Sequence, residues 1–81
     1  MAILVPNFEL AEKIGQQIEI DAATVNDLIK TGTERFGDEF RKATKTAVIV
    51  VNGRAISLLQ GLSTPLGKDD RVWFVKPAGG G

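Results

Sequence analysis

The sequence ends Pro77-Ala78-Gly79-Gly80-Gly81, and the group best suited to chemistry is the α-carboxylate that Gly81 carries. A free α-carboxylate titrates at about pH 3.3–3.7, so near neutrality it is an anion and a poor electrophile. It becomes an acyl donor only after activation. Glycine serves such a centre in two ways. Lacking a Cβ, it enters a narrow channel and leaves the carbonyl carbon open to attack. Its tolerance of positive φ lets Gly79 and Gly80 thread active sites of different shape. Fully extended, residues 77–81 reach about 17 Å, enough to enter a cleft while the rest of the chain stays outside. The φ of Pro77 is fixed in advance, which lowers the entropy lost on threading. Taken alone, a glycine-rich terminus reads as an idle end, so its meaning depends on what carries it.

The remaining residue types narrow the chemistry. The sequence has no Cys, no His and no Tyr. Disulfides, thiolate nucleophiles, histidine bases and nearly all zinc sites are excluded. Catalysis would rest on carboxylates, Lys, Ser or Thr, and no nucleophile–base set is evident. Asp69-Asp70 reads as a turn former and Asn52-Gly53 as a hairpin turn. Arg54 and Arg71 read as solvated cations or as partners for acids on another protein. The composition favours a binding or carrier protein with no bound cofactor and no metal.

The 81 residues make one domain, and 43% of them are apolar, with Phe8, Phe36, Phe40, Trp73 and Phe74 as bulky fillers. Ten basic and ten acidic residues cancel, so the cationic footprint of a nucleic-acid binder is missing. No apolar run approaches the roughly 18 residues of a membrane span. Met1 to Pro6 carries no basic flank or cleavage signature. The expectation is a cytoplasmic protein that binds neither nucleic acid nor membrane.

Residues 2–8 read as a strand with Ile3 and Val5 on one side and Leu4 on the other, limited by Pro6. Residues 9–13 read as a connection to a strand at 16–20, where Ile18 and Ile20 mark the buried side. Thr24 reads as the N-cap of a helix whose Val25, Leu28, Ile29 and Phe36 share one face. Gly32 on that face costs about 1 kcal/mol relative to Ala and permits close approach to a sheet. Gly37 stops the helix, and 38–42 forms a further turn carrying Phe40. Thr46 to Val51 reads as a strand covered on much of both faces. Asn52-Gly53 turns it into a short return strand, Arg54 to Ile56. Residues 57–70 read as loop anchored by Leu58, Leu59, Leu62 and Leu66. In the last strand, Arg71 to Lys76, Val72 and Phe74 face the core, and Arg71, Trp73 and Val75 face the other way. An exposed Trp beside an exposed Val is an interface anchor, unless the 57–70 loop folds over them.

One main helix on a mixed sheet of four to five strands is an α+β arrangement. The β-grasp (ubiquitin-like) fold is the small architecture with this order, its first and last strands parallel at the centre. Residues 1–76 form the domain and 77–81 a flexible tail.

Three stretches carry a resemblance. The first is Leu10-Ala11-Glu12-Lys13-Ile14-Gly15, then Ile18-Glu19-Ile20 and Thr24-Val25-Asn26-Asp27-Leu28. The second is Val50-Val51-Asn52-Gly53-Arg54, then Leu62 to Val72 with Pro65-Leu66 and Asp69-Asp70. The third is the ending, Pro77 to Gly81. Together they resemble the MoaD/ThiS family of sulfur carriers over nearly the whole length. Asp69-Asp70 stands where that family usually has Gly-Asp, and Ala78-Gly79 replaces a bulkier pair. The resemblance implies that Gly81, with Gly80, is adenylated with ATP on an E1-like adenylating enzyme. A sulfur donor then gives a terminal thiocarboxylate, which delivers sulfur on a second partner, a sulfur-acceptor enzyme. The open face of the last strand, with the tail that follows, offers such partners contacts at Arg71, Trp73, Val75, Pro77, Ala78 and Gly79.

The acceptor is left open: the helix start at Thr24-Val25 and the Asn52-Gly53 stretch resemble the small subunit of molybdopterin synthase, which implies a molybdopterin synthase large-subunit-like acceptor. The run Leu59-Gln60-Gly61-Leu62-Ser63-Thr64 looks equally like carriers serving cysteine synthesis, and a thiamin-thiazole role fits less well. A second reading is a ubiquitin-like modifier joined to lysines through Gly81, and a third is an interaction module with an idle tail.

Overall fold

The computed structural model describes residues 1–6 and 8–75; of Phe8 and Glu9 it describes the backbone alone. The expectations for Lys76, Pro77, Ala78, Gly79, Gly80 and Gly81 lie outside the described residues. Five strands form one sheet: β1 (Ala2–Val5), β2 (Ile18–Ile20), β3 (Val48–Val51), β4 (Arg54–Ala55) and β5 (Arg71–Val75). Their order is β2-β1-β5-β3-β4. β1 and β5 run parallel, and the β1–β2, β3–β4 and β3–β5 pairs are antiparallel. This is the expected β-grasp, with its parallel pair inside the sheet.

Alternation sorts each strand into two faces. Ala2 and Leu4, Ile18 and Ile20, Ile49 and Val51, and Val72 and Phe74 are buried in one core with Leu10, Val25, Leu28, Phe40 and Leu66. Three helices cover this face: α1 (Phe8–Ile14), α2 (Val25–Phe36) and α3 (Asp38–Thr46). Full burial of one such side chain contributes about 1.5–3 kcal/mol, so this cluster is the main source of stability.

α2 follows its sequence signals. Thr24 Oγ1 accepts a 3.1 Å hydrogen bond from the Asp27 amide, satisfying one of the free N–H groups of the first turn. Val25 and Leu28 are buried. Gly37, at φ 85°, ends the helix and leads into α3.

The other two helices differ from expectation. Residues 9–13 belong to a helix of seven residues, not to a plain connection. It is too short to stand alone, but Leu10 is buried and Ile14 packs on the core one turn later. Lys13 Nζ also reaches Glu39 Oε2 of α3 at 2.6 Å. The single turn after Gly37 is a nine-residue helix, α3. It takes in Thr46, so β3 starts only at Val48. Gly32 approaches α3 and not the sheet: a Cβ built there would lie 2.3 Å from two ring atoms of Phe40. The ring of Phe40 is fully buried between Phe36 and Phe74, with centroids 5.8 and 5.6 Å away.

The 57–70 segment lies against the start of α2. The Val25 amide donates to the Thr64 carbonyl at 3.0 Å and the Leu66 amide to the Ala23 carbonyl at 2.8 Å. Thr64 is buried, and its hydroxyl donates to the Gly61 carbonyl at 2.7 Å. Of the four expected leucine anchors only Leu66 is buried. Leu58, Leu59 and Leu62 are exposed on two short 3-10 turns, Leu58 to 79%, because the backbone bonds at Thr64 and Leu66 already fix the segment.

Candidate functional site: the open face of the sheet and the root of the tail

β5 is the last described strand before Gly81 in the sequence. Hydrogen-bonded neighbours flank it on both sides, β1 and β3, so Val75 lies in the interior of the sheet and not at a fraying edge. The start of β5 is clamped. Asn52, at φ 50° in the β3–β4 turn, donates its amide N–H to the Arg71 carbonyl at 2.9 Å. Its side-chain Oδ1 accepts from the Arg71 amide at 2.9 Å. Its Nδ2 donates to Asp70 Oδ1 at 2.9 Å, and Asp70 Oδ2 accepts from the Gly67 amide at 2.7 Å. The Gly67 and Asn52 bonds hold the Asp70 carboxyl below its ordinary pKa, against a small opposing effect of burial. Asn52 and Asp70 are structural, as the sequence indicates.

Arg71, Trp73 and Val75 point away from the core as expected. Trp73 is 41% exposed and Val75 45%. The 57–70 segment, held at α2, does not cover them. The pairing register adds neighbours that the sequence reading missed. Trp73 lies between Val5 of β1 and Val50 of β3. Val75 lies opposite Val48, itself 39% exposed. Arg71 lies opposite Ile3, with Glu19 on Ile3's other side. β3 is therefore covered on one face only. Its unbroken β-branched run reflects a second apolar face with no layer of its own. Alternation within each strand, combined with the parallel β1–β5 pairing, was the signal available for Val5, Val48 and Val50.

The result is an apolar strip centred on Trp73 that runs toward the root of the tail at Val75. Contiguous exposed apolar surface of this kind is a candidate interaction site, and Trp is among the residue types enriched in binding hot spots. Among the described residues no three carboxylates gather as a metal site. No described helix is long and apolar enough to cross a membrane. Arg54 is exposed at the turn into the edge strand β4, where it carries no ion pair with a described residue. Pro77, Ala78, Gly79, Gly80 and Gly81 are not among the described residues.

The fold and this face define a ubiquitin-like β-grasp protein. The ThiS family model matches residues 7–81, and the chain belongs to the ThiS family, a group of ubiquitin-like sulfur carrier and modifier proteins. Such a chain is a carrier and not an enzyme in its own right. No curated protein matches the sequence. Among solved structures, the chain is similar to the small archaeal modifier protein 1 (SAMP1) of Methanosarcina acetivorans: TM-score 0.80, 20% identity, 99% of this chain and 95% of that one covered. It is similar to a chain of the Amycolatopsis orientalis BexX/CysO complex, with TM-score 0.82, 18% identity and full coverage of both chains. It is also similar to the Haloferax volcanii HVO 2177 protein, with TM-score 0.76, 23% identity, and 99% and 85% coverage. At these identities the likeness is one of fold.

Proposed function

We propose that this protein carries sulfur on its C-terminal glycine. The Gly81 carboxylate attacks the α-phosphorus of ATP on an E1-like adenylating enzyme, and pyrophosphate leaves. A sulfide-level nucleophile supplied by a donor then attacks the acyl-adenylate carbon, the C–O bond to the AMP oxygen breaks, and AMP leaves. The thiocarboxylate so formed gives its sulfur to a molecule bound on a second enzyme. That acceptor is a molybdopterin synthase large-subunit-like protein, or a synthase of cysteine or another sulfur metabolite. The work takes place in the cytoplasm, where ATP is supplied. ATP is the partner's co-substrate, and this chain holds no cofactor of its own.

The observation that carries this reading is the open face of β5. Trp73 and Val75 stand exposed on the strand that continues into Pro77 to Gly81. A partner can bind the rigid domain there while the tail enters its active site, and the binding energy offsets the entropy lost on ordering the tail. The family match, which runs through Gly81, supports the same use of the terminus. So does the similar chain that comes from a BexX/CysO complex.

Intact-protein mass spectrometry of the chain from its native source tests the proposal. The expected species has one oxygen replaced by sulfur, and the extra mass disappears on alkaline or oxidative treatment. Its absence under sulfur-replete growth, together with normal pathway flux after deletion of Gly80-Gly81, overturns the reading. The likeness to a protein named a modifier favours a second use of the same tail, conjugation to lysines. Incubation with the adenylating enzyme and ATP separates the two, because conjugation yields higher-mass adducts.

A further inference from the structure

The equal numbers of acids and bases are not mixed along the sequence. Residues 9–39 hold eight acids and three bases, whereas residues 40–68 hold five bases and no acid. The fold places the strands of these two stretches toward opposite edges of the sheet. The acid-rich part supplies α1, α2 and β2, one edge of the sheet. The base-rich part supplies most of α3, then β3 and the opposite edge, β4.

Three of the five cations lie on α3. Arg41, Lys42 and Lys45 are all exposed, and none makes an ion pair with a described residue. With Asp38 they line a shallow depression of about 240 Å³. The neighbouring acid Glu39 is engaged by Lys13. The C-terminal end of α3 lies near Val75, the last described residue. Ala47 alone separates α3 from β3, whose first residue, Val48, lies opposite Val75. Lys45 is three residues from Val48, at most about 11 Å along the chain, and Arg41 is about 6 Å farther along the helix axis. A protein that takes in the tail approaches around Val75 and so comes within reach of these charges.

We propose that Arg41, Lys42 and Lys45 form an electrostatic docking element for an acidic surface of the adenylating enzyme. The inference rests on the reading that another protein's active site receives Gly81. The apolar strip around Trp73 supplies burial without polarity. The α3 cations supply orientation, since opposite charges steer encounter and fix register. Asp38, which lines the same depression, and the zero net charge of the chain disfavour a polyanion such as RNA as the occupant.

The test uses ATP–pyrophosphate exchange by the adenylating enzyme with the full chain as substrate, measured across ionic strength. Lys42→Glu/Lys45→Glu is compared with Lys30→Glu/Lys68→Glu, which makes the same change in net charge elsewhere, and thermal melts confirm that both fold. The expected result at low salt is a KM about tenfold higher for the α3 variant, with unchanged kcat, and a difference that shrinks as salt screens the charges. The control stays within about twofold of the parent, because charges distant from the contact are screened. Equal KM values for the two variants overturn the docking element while leaving the carrier reading intact. Exchange that never responds to the parent chain overturns both. Retardation of RNA by the parent but not by the α3 variant, with KM unmoved, assigns the cations to nucleic acid and also overturns the inference.

Discussion

The Asn52 side chain donates to the Asp70 carboxylate at 2.9 Å across eighteen residues of sequence, joining the β3–β4 turn to the loop that feeds β5. Asp70 owes its lowered pKa to this bond and to the one from the Gly67 amide. A carboxyl whose folded-state pKa lies below its unfolded value, about 3.9, adds stability above that value and loses it as pH falls through the folded-state pKa. Asp70→Asn will therefore lower the melting temperature at pH 7, and the gap from the parent will narrow below about pH 4. Melts followed by circular dichroism across pH 2–7 check this; a gap constant with pH refutes it.

Gly32 of α2 lies against the Phe40 ring of α3, with no room for a Cβ. Alanine at position 32 gains about 1 kcal/mol of helix propensity, but its Cβ meets a ring that Phe36 and Phe74 hold in place. Overpacking of this kind costs about 1–3 kcal/mol, and with the ring unable to yield the upper part of that range applies. Gly32→Ala will be net destabilised by about 1–2 kcal/mol in urea titration, and Gly32→Ala/Phe40→Leu will recover part of the loss.

Asp69 occupies the left-handed region at φ 68°, where glycine carries no Cβ penalty and a β-branched residue carries the largest. Asp69→Gly will raise stability by about 0.5 kcal/mol, and Asp69→Val will lower it by about 1–2 kcal/mol. Denaturant midpoints measured side by side decide the order. The same backbone angle accounts for the Gly-Asp pair usual at this turn in the proteins the sequence resembles.

On the proposed carrier reading, Trp73 is expected to contribute more to docking than to folding. Trp73→Ala removes cross-strand contacts worth about 1 kcal/mol, yet it removes the centre of the exposed strip. Its KM in the adenylation assay will rise roughly 30-fold, the equivalent of a 2 kcal/mol hot spot. Leu58→Ser, on the most exposed leucine, will leave KM unchanged. Comparable losses from the two variants would show that exposure alone, and not the face of β5, governs binding.

Where a local signal and the tertiary contacts agreed, the sequence was readable. Thr24, Asp27 and the spacing of Val25 and Leu28 gave α2, and alternation in β5 placed Val72 and Phe74 inside and Trp73 and Val75 outside. The Asn52-Gly53 pair gave the turn that clamps Arg71. α1 was hidden because seven residues hold a helix only through Leu10 and Ile14, which pack on residues distant in sequence. α3 was hidden because its burial runs mainly through one side chain, Phe40, opposite a glycine. The β-branched Thr46 read as strand, but the helix continues through it. The Val48–Val51 run could not distinguish a strand buried on both faces from one with a bare apolar side, and that side completes the candidate site. The tail itself, from Pro77 to Gly81, was legible only as composition and position.

β5, the last described strand in sequence, sits between β1 and β3 and not at an edge. The sheet cannot close until residues 71–75 have cleared the ribosome, however early α2 or the β1–β2 pair has formed. Newly made chains thus acquire the closed sheet and its exposed Trp73 face in a single step that waits for β5. A partially synthesised or proteolytically shortened chain that lacks β5 has neither, because β1 and β3 are joined only through that strand.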